Sequence, residues 1–214
     1  MKPEQYVEYS EVFDDTSCSR LFPSLTQFCK TVIDLAPEPS TIADIGAGTG
    51  KFTAYLQQRL PYTVFDVVEP SEPMMAKAAA RLSPTRTRLH SVRFSEATLL
   101  PQDVIIFQRS LYAIPSPDTK RITERLNPGG LLAIMTPSQK YNIDRYEEQF
   151  ADDKDWWPKL RSALVMFNEG VDTGDFVLYD RARLVEMFPG LTLVPTTAPE
   201  QHFFIKDVSA IPDS

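Results

Sequence analysis

Three glycines at alternate positions, Gly46, Gly48 and Gly50, follow Asp44 in the stretch IADIGAGTGKF at residues 42–52. Glycine carries no Cβ and adopts positive φ freely, so this pattern lets a main chain approach a ligand closely. Three phosphate-type chemistries use such a loop. A P-loop would need a glycine at position 45 and a serine or threonine at 52, where Ile45 and Phe52 stand. A dinucleotide fingerprint would need a third glycine at 51, where Lys51 stands. What remains is an acid, then glycine at every second position, at the junction of a strand and a helix.

The segment DIGAGTG resembles motif I of the class I S-adenosylmethionine-dependent methyltransferases. That resemblance implies a cofactor seat built from Asp44, Gly46, Ala47, Gly48 and Gly50. Asp44 would accept from the cofactor's ammonium, and helix amides after Gly50 would face its carboxylate. Glu69 closes the stretch YTVFDVVEP, nineteen residues beyond Gly50, where a carboxylate can accept from both ribose hydroxyls. Pro70 and Met74 follow it. Met74 or Met75 lies on the adenine face, or both serve core packing. FSEATLLP resembles the family's D-A-x-x-L-P stretch, with Glu96 in place of the aspartate that accepts from the adenine amino group and Ala97 offering its backbone. LNPGGLLAIM matches the family's L-K-P-G-G turn into strand five, with Asn127 replacing lysine.

The acceptor side carries weaker marks. The stretch FQRSLYAI after strand four lacks the [DN]-P-P-[YF] motif of enzymes that methylate DNA or protein amino groups. It is similar to the Q-x-x-H-W type of the small-molecule, trans-aconitate methyltransferase-like branch, with Leu111 and Tyr112 in place of His-Trp. Gln108 is expected to line the methionine side of the cofactor and Tyr112 to face the acceptor. Tyr6, Tyr9 and Phe13, in a lead-in resembling that branch's Y-x-x-Y-D, either cover the cofactor or pack on the sheet. The Trp156-Trp157 pair either closes over an apolar acceptor, with Trp157 touching it, or fills a small core of its own. His90 is read as beginning a strand at the sheet's far end. His202 is placed away from the edge where such sites form. No Cys/His cluster has metal-ligand spacing, and no catalytic residue is assigned, because positioning an acceptor behind an activated methyl supplies much of the rate.

Elements to hold these residues follow from periodicity. Phe22, Leu25, Cys29, Val32 and Ala36 mark one buried face of a helix near 17–36. Strands are expected at TIADI, YTVFDVVEP, HSVRF, DVIIF, LLAIM, LTLVPTT and QHFFIKD, with helices at Gly50–Leu60, from Ser71 to about Leu82, from Ser116 to Leu126 and at Asp180–Phe188. Strand–helix alternation predicts an α/β, Rossmann-like sheet of seven mostly parallel strands, antiparallel at the last, with helices on both faces. Residues 137–179 break the rhythm, with no strand pattern until FVLY at 176–179, and are read as a helical lid inserted after strand five. The 214 residues fit one domain, with 1–40 as an N-terminal helical cover.

A net charge of −7 without a basic block argues against a nucleic-acid partner. Apolar runs of about five residues fall short of the roughly 20 that span a membrane, and the polar start has no signal-peptide core. Cys18 and Cys29 are read as free thiols. The expectation is a cytoplasmic enzyme that moves a methyl from S-adenosylmethionine to an oxygen, nitrogen or carbon of a small molecule. The alternatives are non-methyl transfer or rearrangement on the same fold, or a non-catalytic cofactor-binding protein.

Overall fold

The computed structural model describes residues 23–114, 116–194 and, as backbone, 201–207. Tyr6, Tyr9, Phe13, Cys18 and Phe22 lie outside the described residues. The elements in chain order are α1 (Pro23–Leu35), β1 (Thr41–Ile45), α2 (Lys51–Arg59), β2 (Val64–Val68), α3 (Glu72–Arg81), β3 (Thr87–His90) and β4 (Gln102–Gln108). A single 3-10 turn (Leu111–Ala113) leads to α4 (Thr119–Glu124), β5 (Leu126–Pro137), α5 (Ile143–Phe150), α6 (Trp157–Thr173), α7 (Arg181–Met187), β6 (Thr192–Val194) and β7 (Gln201–Asp207).

The strands form one sheet in the order β3-β2-β1-β4-β5-β7-β6. β1, β2, β3, β4 and β5 are parallel, and β7 runs antiparallel to both β5 and β6. Side chains alternate across the pleat, so β1, β2, β4 and β5 each feed two cores. Ile42, Phe65, Val67, Val104, Ile106 and Met135 pack under α1, α2 and α3 with Phe28, Leu56 and Ala78. Ala43, Ile45, Val68, Ile105, Phe107 and Ile134 pack on the opposite face with Ile122, Leu184 and Phe188. Burial on both faces explains why these strands read as continuous apolar runs. The order reverses between β1 and β4, and at such a switch point a cleft opens beyond the carboxyl ends of the strands.

Four sequence readings change. HSVRF is not the third strand: β2 ends at Val68, opposite His90, so nothing is left for residues 91–94 to pair with, and Phe94 turns into the core with Ile105 and Phe107. His90 therefore ends β3 at the carboxyl edge, where its Nε2 lies 2.8 Å from Asp66 Oδ1. The helix expected from Ser116 begins instead at Thr119, capped by Asp118, which accepts from Arg121 N at 2.9 Å. It ends at Glu124, and Leu126 already pairs with Gln102. Finally, β7 runs backwards, so its beginning meets the end of β5: His202 sits opposite Thr136, at the carboxyl edge rather than away from it.

The stretch FVLY is not a strand. It straps the 3-10 turn, with Val177 N donating to Tyr112 O at 2.8 Å and Tyr179 Oη donating to Ile114 O at 2.5 Å. Between β5 and this strap, Trp157, Leu160, Leu164 and Phe167 of α6 form a third core with Tyr141 and Phe176, against which Ile143, Tyr146 and Phe150 of α5 pack. Cys29 is buried in the core under α1. Among the described residues no helix is long and apolar enough to cross a membrane.

Candidate active site

The loop after β1 is shaped by three glycines, all left-handed, with φ of 70°, 58° and 73° at Gly46, Gly48 and Gly50. Two of them are also demanded by packing. A Cβ on Gly46 would stand 2.4 Å from the Cβ of Ser110, and one on Gly50 would stand 3.0 Å from the Cβ of Ala78. Gly48 differs, because its amide donates to Glu69 Oε2 at 2.9 Å. The amides of Gly46 and Ala47 both reach Val68 O, at 2.7 and 3.2 Å. Arg81 donates to Thr49 Oγ1 at 2.9 Å, pinning the loop to α3.

Two carboxylates flank this loop. Glu69 is 5 % exposed, and its Oε1 accepts from Ser71 N at 2.8 Å. With Gly48 N on the other oxygen, the group is held in one orientation by two main-chain donors, and each oxygen keeps a further lone pair for a ligand. Burial raises its pKa, opposed by those two amide bonds. Asp44 is 1 % exposed. Its Oδ2 accepts from Thr53 Oγ1 at 2.5 Å, while its Oδ1 has no hydrogen-bond partner among the described residues. Burial pushes its pKa from 3.8 up to about 7, against the Thr53 bond and with help from the nearby charge of Glu69.

A buried carboxylate oxygen without a donor is costly. An ammonium is the group that answers both its charge and its empty lone pairs. The residues therefore fit S-adenosylmethionine, with Asp44 as the acid that would meet the ammonium and Glu69 the one that would meet the ribose.

The remaining expected residues are not all in this cluster. Gln108 ends β4, half-buried, and the pairing Asp44↔Ile106 puts it one step beyond, on the same sheet face. Pro70 is exposed and Met74 is buried, while Met75 packs in the core under α3. Glu96 is exposed, and its carboxylate accepts from Arg93 N at 3.3 Å. The Ala97 peptide is engaged within the chain, its amide on Arg93 O at 3.1 Å and its carbonyl accepting from Arg121 at 2.5 Å. Tyr112 stands edge-on to Phe167 and Phe176, with centroids at 5.1 and 4.8 Å. Trp157 is buried with them. Both tie the helical layer together. Among the described residues no group of His, Cys, Asp and Glu has metal-binding geometry.

The sequence reading gave no site role to four residues that border the two acids and the glycine loop. Thr53 and Ser71 hold or flank the two acids. Ser110 packs on Gly46 and donates to Ile45 O. Arg109 takes a left-handed φ of 56°, the one such non-glycine among the described residues, and donates to Tyr141 Oη at 2.9 Å. Burial opposes the Arg109 charge, but the phenols of Tyr141, Tyr112 and Tyr146 outweigh it and hold the guanidinium pKa above its usual value. In the sequence Arg109 and Ser110 are marked only as part of FQRSLYAI, the stretch read on the acceptor side.

The chain belongs to the methyltransferase-domain family, whose model matches residues 19–171. It is 31 % identical over 145 residues to a trans-aconitate 2-methyltransferase of Streptomyces avermitilis, covering 62 % of this chain and 52 % of that protein. It is 33 % identical over 110 residues to one of Variovorax paradoxus, covering 49 % and 41 %. The chain thus spans about half the length of these curated relatives. Its fold matches the N-methyltransferase NodS of Bradyrhizobium japonicum in complex with S-adenosyl-L-homocysteine, with a TM-score of 0.63 at 15 % identity over 96 % of this chain and 97 % of that one.

Proposed function

We propose that the protein transfers a methyl group from S-adenosylmethionine to a small carboxylic acid. The observation that carries the cofactor half is the pair of buried acids around the glycine loop, with Asp44 Oδ1 lacking a donor and Glu69 fixed by two amides. The acceptor half is supported by the two trans-aconitate 2-methyltransferases among the relatives and by Arg109, which brings positive charge to the end of β4. The net charge of −7 favours a small acceptor over a nucleic-acid backbone.

When bound, the cofactor supplies a sulfonium methyl that is already electrophilic. Asp44 and the loop would fix its amino-acid end, Glu69 its sugar, and Gln108 the side facing the acceptor. Arg109 would orient an acceptor anion, so that positioning does most of the catalytic work. Helices α5 and α6, with Tyr112 and Trp157 in their common core, would act as a lid that keeps water from the cleft. The test is to incubate the protein with S-adenosylmethionine and a panel of small carboxylic acids, trans-aconitate included, and to measure release of S-adenosylhomocysteine. Release dependent on an acid supports the reading. Release with amines or phenols but no acid refutes the acceptor class.

A further inference from the structure

Ser71 occupies the N-cap position of α3, with the extended backbone of a cap, φ −81° and ψ 110°. A capping hydroxyl accepts from an amide in the first turn. This one does not: its side chain makes no cap hydrogen bond, and a proline sits in that turn. The residue is 4 % exposed, and its Oγ has no hydrogen-bond partner among the described residues. A buried hydroxyl left in this state costs stability, so the site is one where a ligand can repay the protein.

The position of Ser71 says which ligand. Its amide donates to Glu69 Oε1 at 2.8 Å, so it borders the carboxylate that would accept from the ribose hydroxyls. An ionised carboxylate can only accept. A sugar hydroxyl also has an oxygen that accepts, and Glu69 cannot serve it. A serine hydroxyl can. Resting on the cofactor reading above, we propose that Ser71 Oγ donates to the vicinal hydroxyls of the cofactor's ribose and completes the grip that Glu69 begins.

Calorimetric titration with S-adenosylhomocysteine, alongside thermal melting of the unliganded protein, tests this. Ser71→Ala should weaken binding about 5- to 15-fold, the equivalent of one hydrogen bond, and leave the melting temperature unchanged or higher. Ser71→Thr, which keeps a hydroxyl, should bind within about threefold of the parent. Unchanged affinity in Ser71→Ala, with the parent binding normally, would overturn the role of Ser71 and leave the cofactor reading standing. A large fall in melting temperature, or failure of Ser71→Ala to fold, would show that the hydroxyl serves the helix and would equally overturn it. A parent that binds no S-adenosylhomocysteine would remove both the cofactor reading and this one.

Discussion

Asp44 is a group whose stability and function pull in opposite directions. Burial raises its pKa from 3.8 to about 7, so the folded chain favours the neutral acid. Its contribution to stability is therefore fully present below about pH 4 and is lost as the pH rises through about 7. Above that, the unliganded protein carries a buried charge whose full penalty is on the order of 4 kcal/mol. Asp44→Asn keeps an acceptor for Thr53 and removes the charge. The variant should melt several degrees higher than the parent at pH 8, lose that advantage near pH 4, and bind S-adenosylhomocysteine more weakly. A lower melting temperature than the parent at pH 8 would refute the account of this residue. Reciprocally, an arriving ammonium restores the carboxylate, so affinity should rise from pH 5 to 7.

At the scale of elements, the glycine loop is as much a packing device as a ligand seat. Gly46→Ala would force a Cβ to 2.4 Å from Ser110 at φ +70°, whereas at Gly174, with φ +79°, a Cβ meets nothing within 4 Å. The left-handed backbone alone costs about 1–2 kcal/mol, so urea denaturation should show Gly174→Ala losing about that much. Gly46→Ala should lose clearly more, because Ser110 is anchored to Ile45 O and cannot retreat freely. Equal losses would show that the loop yields. The elements themselves were legible where periodicity and punctuation agreed. TIADI is β1 residue for residue, and Asp180 caps α7 by accepting from Arg183 N at 2.8 Å. They were illegible where partners decide the outcome. HSVRF alternates like a strand but has nothing to pair with, and FVLY, apolar throughout, is held by Tyr112 O and Ile114 O instead of a ladder.

For the whole molecule, the β1–β4 switch point gathers Asp44, Gly48, Glu69 and Gln108 at one carboxyl edge. Three of these four carried their own signal, because an acid or a glycine at that spacing has few other uses. Arg109 and Ser110 had none beyond their place in FQRSLYAI, since what sets them apart is a left-handed turn and a contact 65 residues away in sequence. Tyr112 and Trp157 show the opposite case. Their types suggested an acceptor surface, or for Trp157 a small core of its own; the fold sets Tyr112 edge-on to Phe167 and Phe176 and buries Trp157 in the same cluster.

Diffraction from crystals soaked with S-adenosylhomocysteine tests the central claim most directly. The account predicts the amino group within hydrogen-bonding distance of Asp44 Oδ1, the ribose on Glu69 and the main chain of 46–50 unmoved. Ligand density anywhere other than between these two carboxylates would contradict it.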